Sequence, residues 1–188
     1  RPYDATEGTV RVGGRDVRDY DLTALRDAVG IVLQKNLLFS GTIRDNLKWG
    51  KPDATDGELW AACRAAHADE FLRRMPDGLD TDLGQGGVNV SGGQKQRLCI
   101  ARTLLKQPKV LIFDDSTSAV DTATESGIRR ALAELTGVTK IIIAQRISSV
   151  QSADMIVILD DGRLHAVGTH DELLARDSIY QEIYYSQM

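Results

Sequence analysis

The 188-residue sequence predicts an α/β fold, and three observations carry that prediction. An apolar run, Val110-Leu111-Ile112-Phe113, ends abruptly in Asp114-Asp115, the pattern of a buried strand whose acids emerge at its carboxyl end. Helical periodicity precedes this run from Gln94 to Leu105 and follows it from Thr122 to Leu135. A second core-type run spans Lys140 to Ala144. Strands that alternate with helices in this way build a sheet with parallel neighbours.

The other elements follow from the same rules. Thr9 to Val12 alternates as a strand and stops at the turn pair Gly13-Gly14, and Val29 to Leu33 forms a second short strand leading to Gln34. From Asp56 to about Arg74, Leu59, Trp60, Cys63, Ala66, Phe71 and Leu72 fall at helical spacing, a block that Pro76-Asp77-Gly78 stops. Met155 to Leu159 and Arg163 to Val167 flank Asp160-Asp161-Gly162 as a β-hairpin. Thr169-His170-Asp171-Glu172 has capping-box spacing and opens a helix with Leu173, Leu174, Ile179, Ile183 and Tyr184 along one face.

Composition narrows the function classes. The net charge of −4, without a long basic tract, predicts no nucleic-acid partner. Cys63 and Cys99 are too few for a disulfide framework and too far apart for a CxxC pair, so a reducing compartment and inert thiols are expected. No apolar stretch approaches the roughly 20 residues needed to span a bilayer, so any membrane work requires another segment.

Two places carry chemistry. Ser91-Gly92-Gly93-Gln94, at a helix start, presents backbone N–H groups unobstructed by Cβ atoms, a hydroxyl and the positive end of the helix dipole. Such a turn can hold a phosphate, and the same four residues can equally form a capping box. Asp114-Asp115, at a strand's carboxyl end, can hold hydrated Mg²⁺ and orient a water, or can simply end the strand in solvent.

The order of these motifs resembles the nucleotide-binding domain of ABC transporters along essentially the whole chain. Val90-Ser91-Gly92-Gly93-Gln94-Lys95-Gln96-Arg97 resembles the signature motif, and Val110 to Asp115 with Ser118-Ala119-Val120-Asp121 resembles Walker B and the D-loop. Gln34 matches the Q-loop glutamine, Tyr3-Asp4-Ala5-Thr6-Glu7-Gly8 resembles Y-D-P-T-x-G, and Gly168 to Leu173 resembles the exporter-type G-T-H-x-E-L. The resemblance implies a P-loop NTPase-like ABC ATPase domain over 1–188, with an α-helical subdomain from 36–82 continuing through the signature helix to about 106. Residues 107–188 would then be the second half of the RecA-like core and the C-terminal helix.

By that resemblance two such domains sandwich ATP and Mg²⁺ head to tail at the cytoplasmic face of the plasma membrane. Asp114 and Gln34 would attend the Mg²⁺; Ser91, Gly92, Gly93 and Gln94 would grip the γ-phosphate of ATP held by the partner, with Asp121 at the same interface. Transmembrane domains would dock through coupling helices on the helical subdomain. Three departures qualify the match. Asp115 stands where the family has its catalytic Glu, and its carboxylate stops about 1.5 Å short, an error that can cost about 100-fold in rate. Gln145 replaces the switch histidine and cannot carry imidazolium charge. Gln85 stands where exporters usually carry a Glu.

Both changes at one catalytic site, beside an intact signature, resemble the degenerate half of heterodimeric bacterial multidrug exporters, which implies a non-identical consensus partner. A further expectation concerns the phosphate loop: the only Gly-Lys pair, Gly50-Lys51, is followed by Pro52, so no G-x-x-x-x-G-K-[ST] is present and an upstream truncation is expected. Without that loop the chain alone should bind ATP poorly. The rival reading is a regulatory ABC module that clamps ATP without hydrolysing it. A DNA-repair or translation protein of the family would want coiled-coil heptads or basic tracts, and neither is visible.

Overall fold

The computed structural model describes residues 3–114 and 122–188. The chain divides into two compact units, Arg1–Ile141 and Ile142–Met188. The first unit opens on β1 (Arg11–Val12) and β2 (Arg15–Asp16), paired antiparallel with Val12 opposite Arg15. Gly13 and Gly14 both have positive φ, +58° and +80°, as a two-residue hairpin turn of the primed type requires. The predicted strand over Thr9–Val12 is thus shortened to its last two residues. Asp21 then caps α1 (Leu22–Ala28) by accepting from the Ala24 N–H at 2.9 Å, and α1 passes directly into β3 (Val29–Val32).

β3 runs parallel to β4 (Val110–Asp114), with Val29 opposite Val110 and Val32 opposite Phe113; β5 (Thr139–Ile143) follows β4 in the sheet order. The sheet's burial corrects one expectation. The apolar runs predict strands covered on both faces, but burial alternates: Leu111 and Phe113 are buried while Val110 and Ile112 are half-buried. Ile31, Ile141 and Ile143 are about half exposed. The pleat sends alternate side chains to opposite faces. The buried face, shared by Gly30, Val32, Leu111 and Phe113, receives α5 (Gly92–Leu105), because a Cβ on Gly30 would lie 2.8 Å from the Thr103 and Pro108 side chains.

Between β3 and α5 lies a helical layer: α2 (Ile43–Lys48), α3 (Asp56–Ala65) and α4 (Asp69–Leu72). Thr42 with Asp45 and Thr55 with Glu58 form reciprocal capping boxes, so both helices start where a side-chain oxygen meets an orphan N–H. Arg44 reaches Asp56 on α3 and Asp80 at 2.7 Å, tying three segments together. Asn46, buried at 2% exposure, is satisfied by Phe39 N–H at 2.8 Å and by the Phe39 and Thr42 carbonyls. The helix expected to run from Asp56 to Arg74 is broken. His67 adopts φ +53°, its N–H bonds the Arg64 carbonyl and the Ala68 N–H bonds the Cys63 carbonyl, which is a Schellman stop with His in the usual glycine place.

The second unit holds the expected hairpin, β6 (Ile156–Asp160) and β7 (Arg163–Gly168), turned by Asp161 and Gly162, both at positive φ. Thr169 and Glu172 form the predicted capping box of α7 (His170–Arg176). The helix then stops, because Asp177 is extended at φ −110°, ψ 116° and caps a separate helix, α8 (Ser178–Ser186), through the Tyr180 N–H at 2.8 Å. Asp177 also meets His165 of β7 at 2.9 Å, which fixes the break. Ile147, Ile156, Leu173 and Tyr180 make this unit's core. Among the described residues no helix is long and apolar enough to cross a membrane.

Candidate nucleotide site

The Ser91–Gln94 turn is a formed helix N-terminus. Ser91 is extended at φ −67°, ψ 164°; its Oγ accepts from the Gln94 N–H at 3.3 Å, and Gln94 Oε1 accepts from the Ser91 N–H at 2.9 Å. The capping-box reading of this turn is therefore met, and the box uses only the ends of the motif. The first amide of α5 to find an acceptor four residues back is that of Lys95, bonded to the Ser91 carbonyl at 2.9 Å. The N–H groups of Gly92 and Gly93 have no acceptor inside the helix. A Cβ placed on Gly92 would meet nothing within 4 Å, so space is open beside that residue. Arg97 Nε donates to the Gly93 carbonyl at 3.3 Å and Lys95 Nζ to the Gly86 carbonyl at 2.9 Å, which holds the turn from behind. Ser91 stands 12 residues from Thr103, the residue against Gly30, hence about 18 Å along α5 from that sheet contact.

The second group gathers at strand ends. Asp114 closes β4 one residue beyond the Phe113–Val32 pair, and Gln34 lies two residues beyond Val32 on the neighbouring parallel strand. Parallel neighbours thus carry a carboxylate and an amide to the same edge of the sheet, where α/β proteins bind ligands. Their oxygens are hard donors of the sort Mg²⁺ accepts, one carboxylate and one amide carbonyl with the remaining positions left to water or phosphate. The donor set fits a hydrated Mg²⁺. Among the described residues no cluster of three or more His, Cys, Asp or Glu forms a protein-only metal cage.

Asp115 and Asp121 lie outside the described residues, as do Ser118, Ala119 and Val120. Gln145 lies in the second unit, two residues past β5, with its carbonyl accepting from Gln187 Nε2 at 2.8 Å. Gln187 Oε1 in turn accepts from the Ile147 N–H at 2.9 Å. One amide side chain at the end of α8 therefore clamps the backbone on both sides of Arg146, a role with no periodicity or motif to announce it.

Other features stand apart from this chemistry. A cavity of about 560 Å³ is lined by Val10, Val12, Val17, Leu25, Val29 and Ile31 among others, and by none of the predicted site residues. Cys63 and Cys99 are buried free thiols; burial pushes Cys63 up to about 12 and raises Cys99 as well, so neither supplies a thiolate near neutral pH.

The comparisons agree with the geometry. The family model described as "ABC transporter" matches residues 1–118. An uncharacterized ABC transporter ATP-binding protein of Bacillus subtilis is 43% identical over 188 residues, 100% of this chain and 33% of that protein. A multidrug efflux ATP-binding/permease protein of Mycobacterium bovis is 48% identical over 97% of this chain and 15% of its own length. A bacterial Atm1-family ABC exporter with ATP bound superposes with a TM-score of 0.95 at 42% identity, covering 98% of this chain and 33% of that one. The chain thus spans a third or less of each of these relatives. With its motifs in order, the family model matched over residues 1–118 and its fold matched almost throughout, the chain belongs to the ABC transporter family.

Proposed function

We propose that this chain is the ATP-binding domain of an exporter, working head to tail with a second, non-identical ABC domain and lending its signature turn to the partner's ATP. The observation that supports this most is the capped Ser91–Gln94 turn, whose Gly92 and Gly93 amides are left without intrahelical acceptors, with open space beside Gly92. Family membership and the ATP-bound exporter likeness support ATP and Mg²⁺ as the ligands. In this reading Asp114 and Gln34 hold Mg²⁺ at the chain's own site, and the metal neutralises phosphate charge when bound. The segment 36–106 is the helical subdomain against which transmembrane coupling helices dock, at the cytoplasmic face of the plasma membrane.

The chain's own site is hydrolysis-impaired in this proposal. Asp115 is one methylene too short to place a water as a glutamate would, and Gln145 offers an amide in place of a chargeable imidazole. Drug-type or lipid-type export is the transport reading, and the multidrug name of a relative supports the first of the two.

The test is complementation. The chain is added to a consensus ABC domain that carries a phosphate-binding loop, and ATP turnover is followed. A gain in turnover that Ser91→Ala removes is the expected result. ATP bound by the mixture without any gain in turnover would favour the regulatory, non-hydrolysing module.

A further inference from the structure

We infer that His67 is a positioning residue, tying the first turn of α5 to α6 (Thr122–Ala133) through Arg97 on one side and Gly127 on the other. The inference rests on the composite-site reading above and adds a mechanical link to it. His67 occupies the left-handed C′ position that ends α3, at φ +53°. Glycine or asparagine is the ordinary residue there, since a Cβ is disfavoured by roughly 1 kcal/mol or more in that conformation. The His67 side chain at this position has a close neighbour on another helix.

The contacts run both ways from this residue. Arg97 Nη1 donates to the His67 carbonyl at 3.0 Å while Arg97 Nε donates to the Gly93 carbonyl at 3.3 Å, so one guanidinium joins the α3 stop to the signature turn. Phe71 supports that guanidinium from below, its ring centroid 5.0 Å from the Arg97 carbon. The His67 imidazole lies against α6, where a Cβ on Gly127 would come within 2.4 Å of both Cε1 and Nε2. Only glycine leaves room for the ring at that point. The series Gly93, Arg97, His67, Gly127 therefore connects the turn that serves the partner's ATP to α6. A shift of α6 is carried to the signature turn through packed groups.

A two-residue cycle in the assembled pair of domains tests the link. Gly127→Ala pushes the ring away and lowers the stimulated turnover by roughly ten-fold, a typical size for side-chain relays, with KM for ATP unchanged. The melting temperature does not fall in proportion, because alanine is the better helix former. His67→Asn in that background keeps the left-handed stop, makes room for the methyl and restores most of the turnover. No loss on Gly127→Ala, or a loss that His67→Asn leaves in place, overturns the inference. A wild-type chain that gives no stimulation fails the composite-site reading instead, and the link is then read by hydrogen exchange of the same variants. Faster exchange at Gly92–Gln94 in Gly127→Ala supports it, and unchanged exchange there overturns it.

Discussion

Replacing Ser91 separates what the residue does for the helix from what it does for a phosphate. Ser91→Ala removes the hydroxyl that accepts from the Gln94 N–H at 3.3 Å but leaves the return bond from the Ser91 N–H to Gln94 Oε1 at 2.9 Å, since that donor is backbone. Half of the box survives, so the cost is about 1 kcal/mol, in the middle of the range for caps. That lowers the melting temperature by about 3 °C in a chain of this size. Ser91→Asp keeps a cap acceptor and places a carboxylate at the positive end of α5, so its melting temperature equals or exceeds that of the native chain. A fixed negative charge there repels the γ-phosphate of the partner's ATP. Both variants should therefore lose the stimulation, by about 100-fold if the hydroxyl and amides act as a transition-state donor set. The assay is steady-state ATP turnover of the pair beside a calorimetric melt of the chain. Stimulation sustained by Ser91→Asp would refute the reasoning, because no phosphate could then be seated on this turn.

Three further outcomes follow from the same geometry. Gly50→Ala sets a Cβ 2.1 Å from the Arg102 carbonyl oxygen and 3.1 Å from its carbon, both backbone atoms, so the helical layer must part from α5. A loss of about 2 kcal/mol, read as a lower urea midpoint, is expected. Glu58 is held down at about 2 by its hydrogen bond with Lys51 and by the Thr55 amide, from an unperturbed 4.5. A depressed carboxylate contributes stability that is complete above pH 4.5 and lost as the pH falls toward 2. Glu58→Gln keeps the cap and should flatten that acid limb in pH-dependent melts. On a polypeptide that supplies the phosphate loop, Asp115→Glu with Gln145→His should raise hydrolysis at this chain's own site by about 100-fold. Single-turnover assays with the partner's site silenced check this, and no gain rejects the impaired-site reading.

The sequence was most legible where local chemistry decides the structure. The hairpin around Asp161-Gly162 and the box Thr169/Glu172 are short-range patterns, and both form as expected. The boxes at Thr42/Asp45 and Thr55/Glu58 carry the same spacing and were there to be read as helix starts. What stayed hidden depends on partners distant in sequence. Arg44 meets Asp80 from 36 positions away, and no periodicity encodes that clasp. The breaks at His67 and Asp177 were missed because the apolar spacing continues across them; a ring lodged against Gly127 accompanies the first break, and His165 bonds Asp177 at the second. The strand-end pair Asp114 and Gln34 was legible as two motifs but not as neighbours, since parallel register is a tertiary fact.

The same register bears on how one chain can serve two sites. A capping box occupies the Ser91 hydroxyl and the Gln94 amide, the outer groups of the motif, while the two glycine amides between them lack acceptors within the helix. An arriving phosphate therefore need not break the helix to bind; it takes the glycine amides and can also accept from the Ser91 O–H, which the cap uses only as an acceptor. The cap holds the turn in binding shape beforehand, so little ordering entropy remains to oppose the ligand. On the composite-site reading, the His67 link is the route by which a change at α6 reaches this turn.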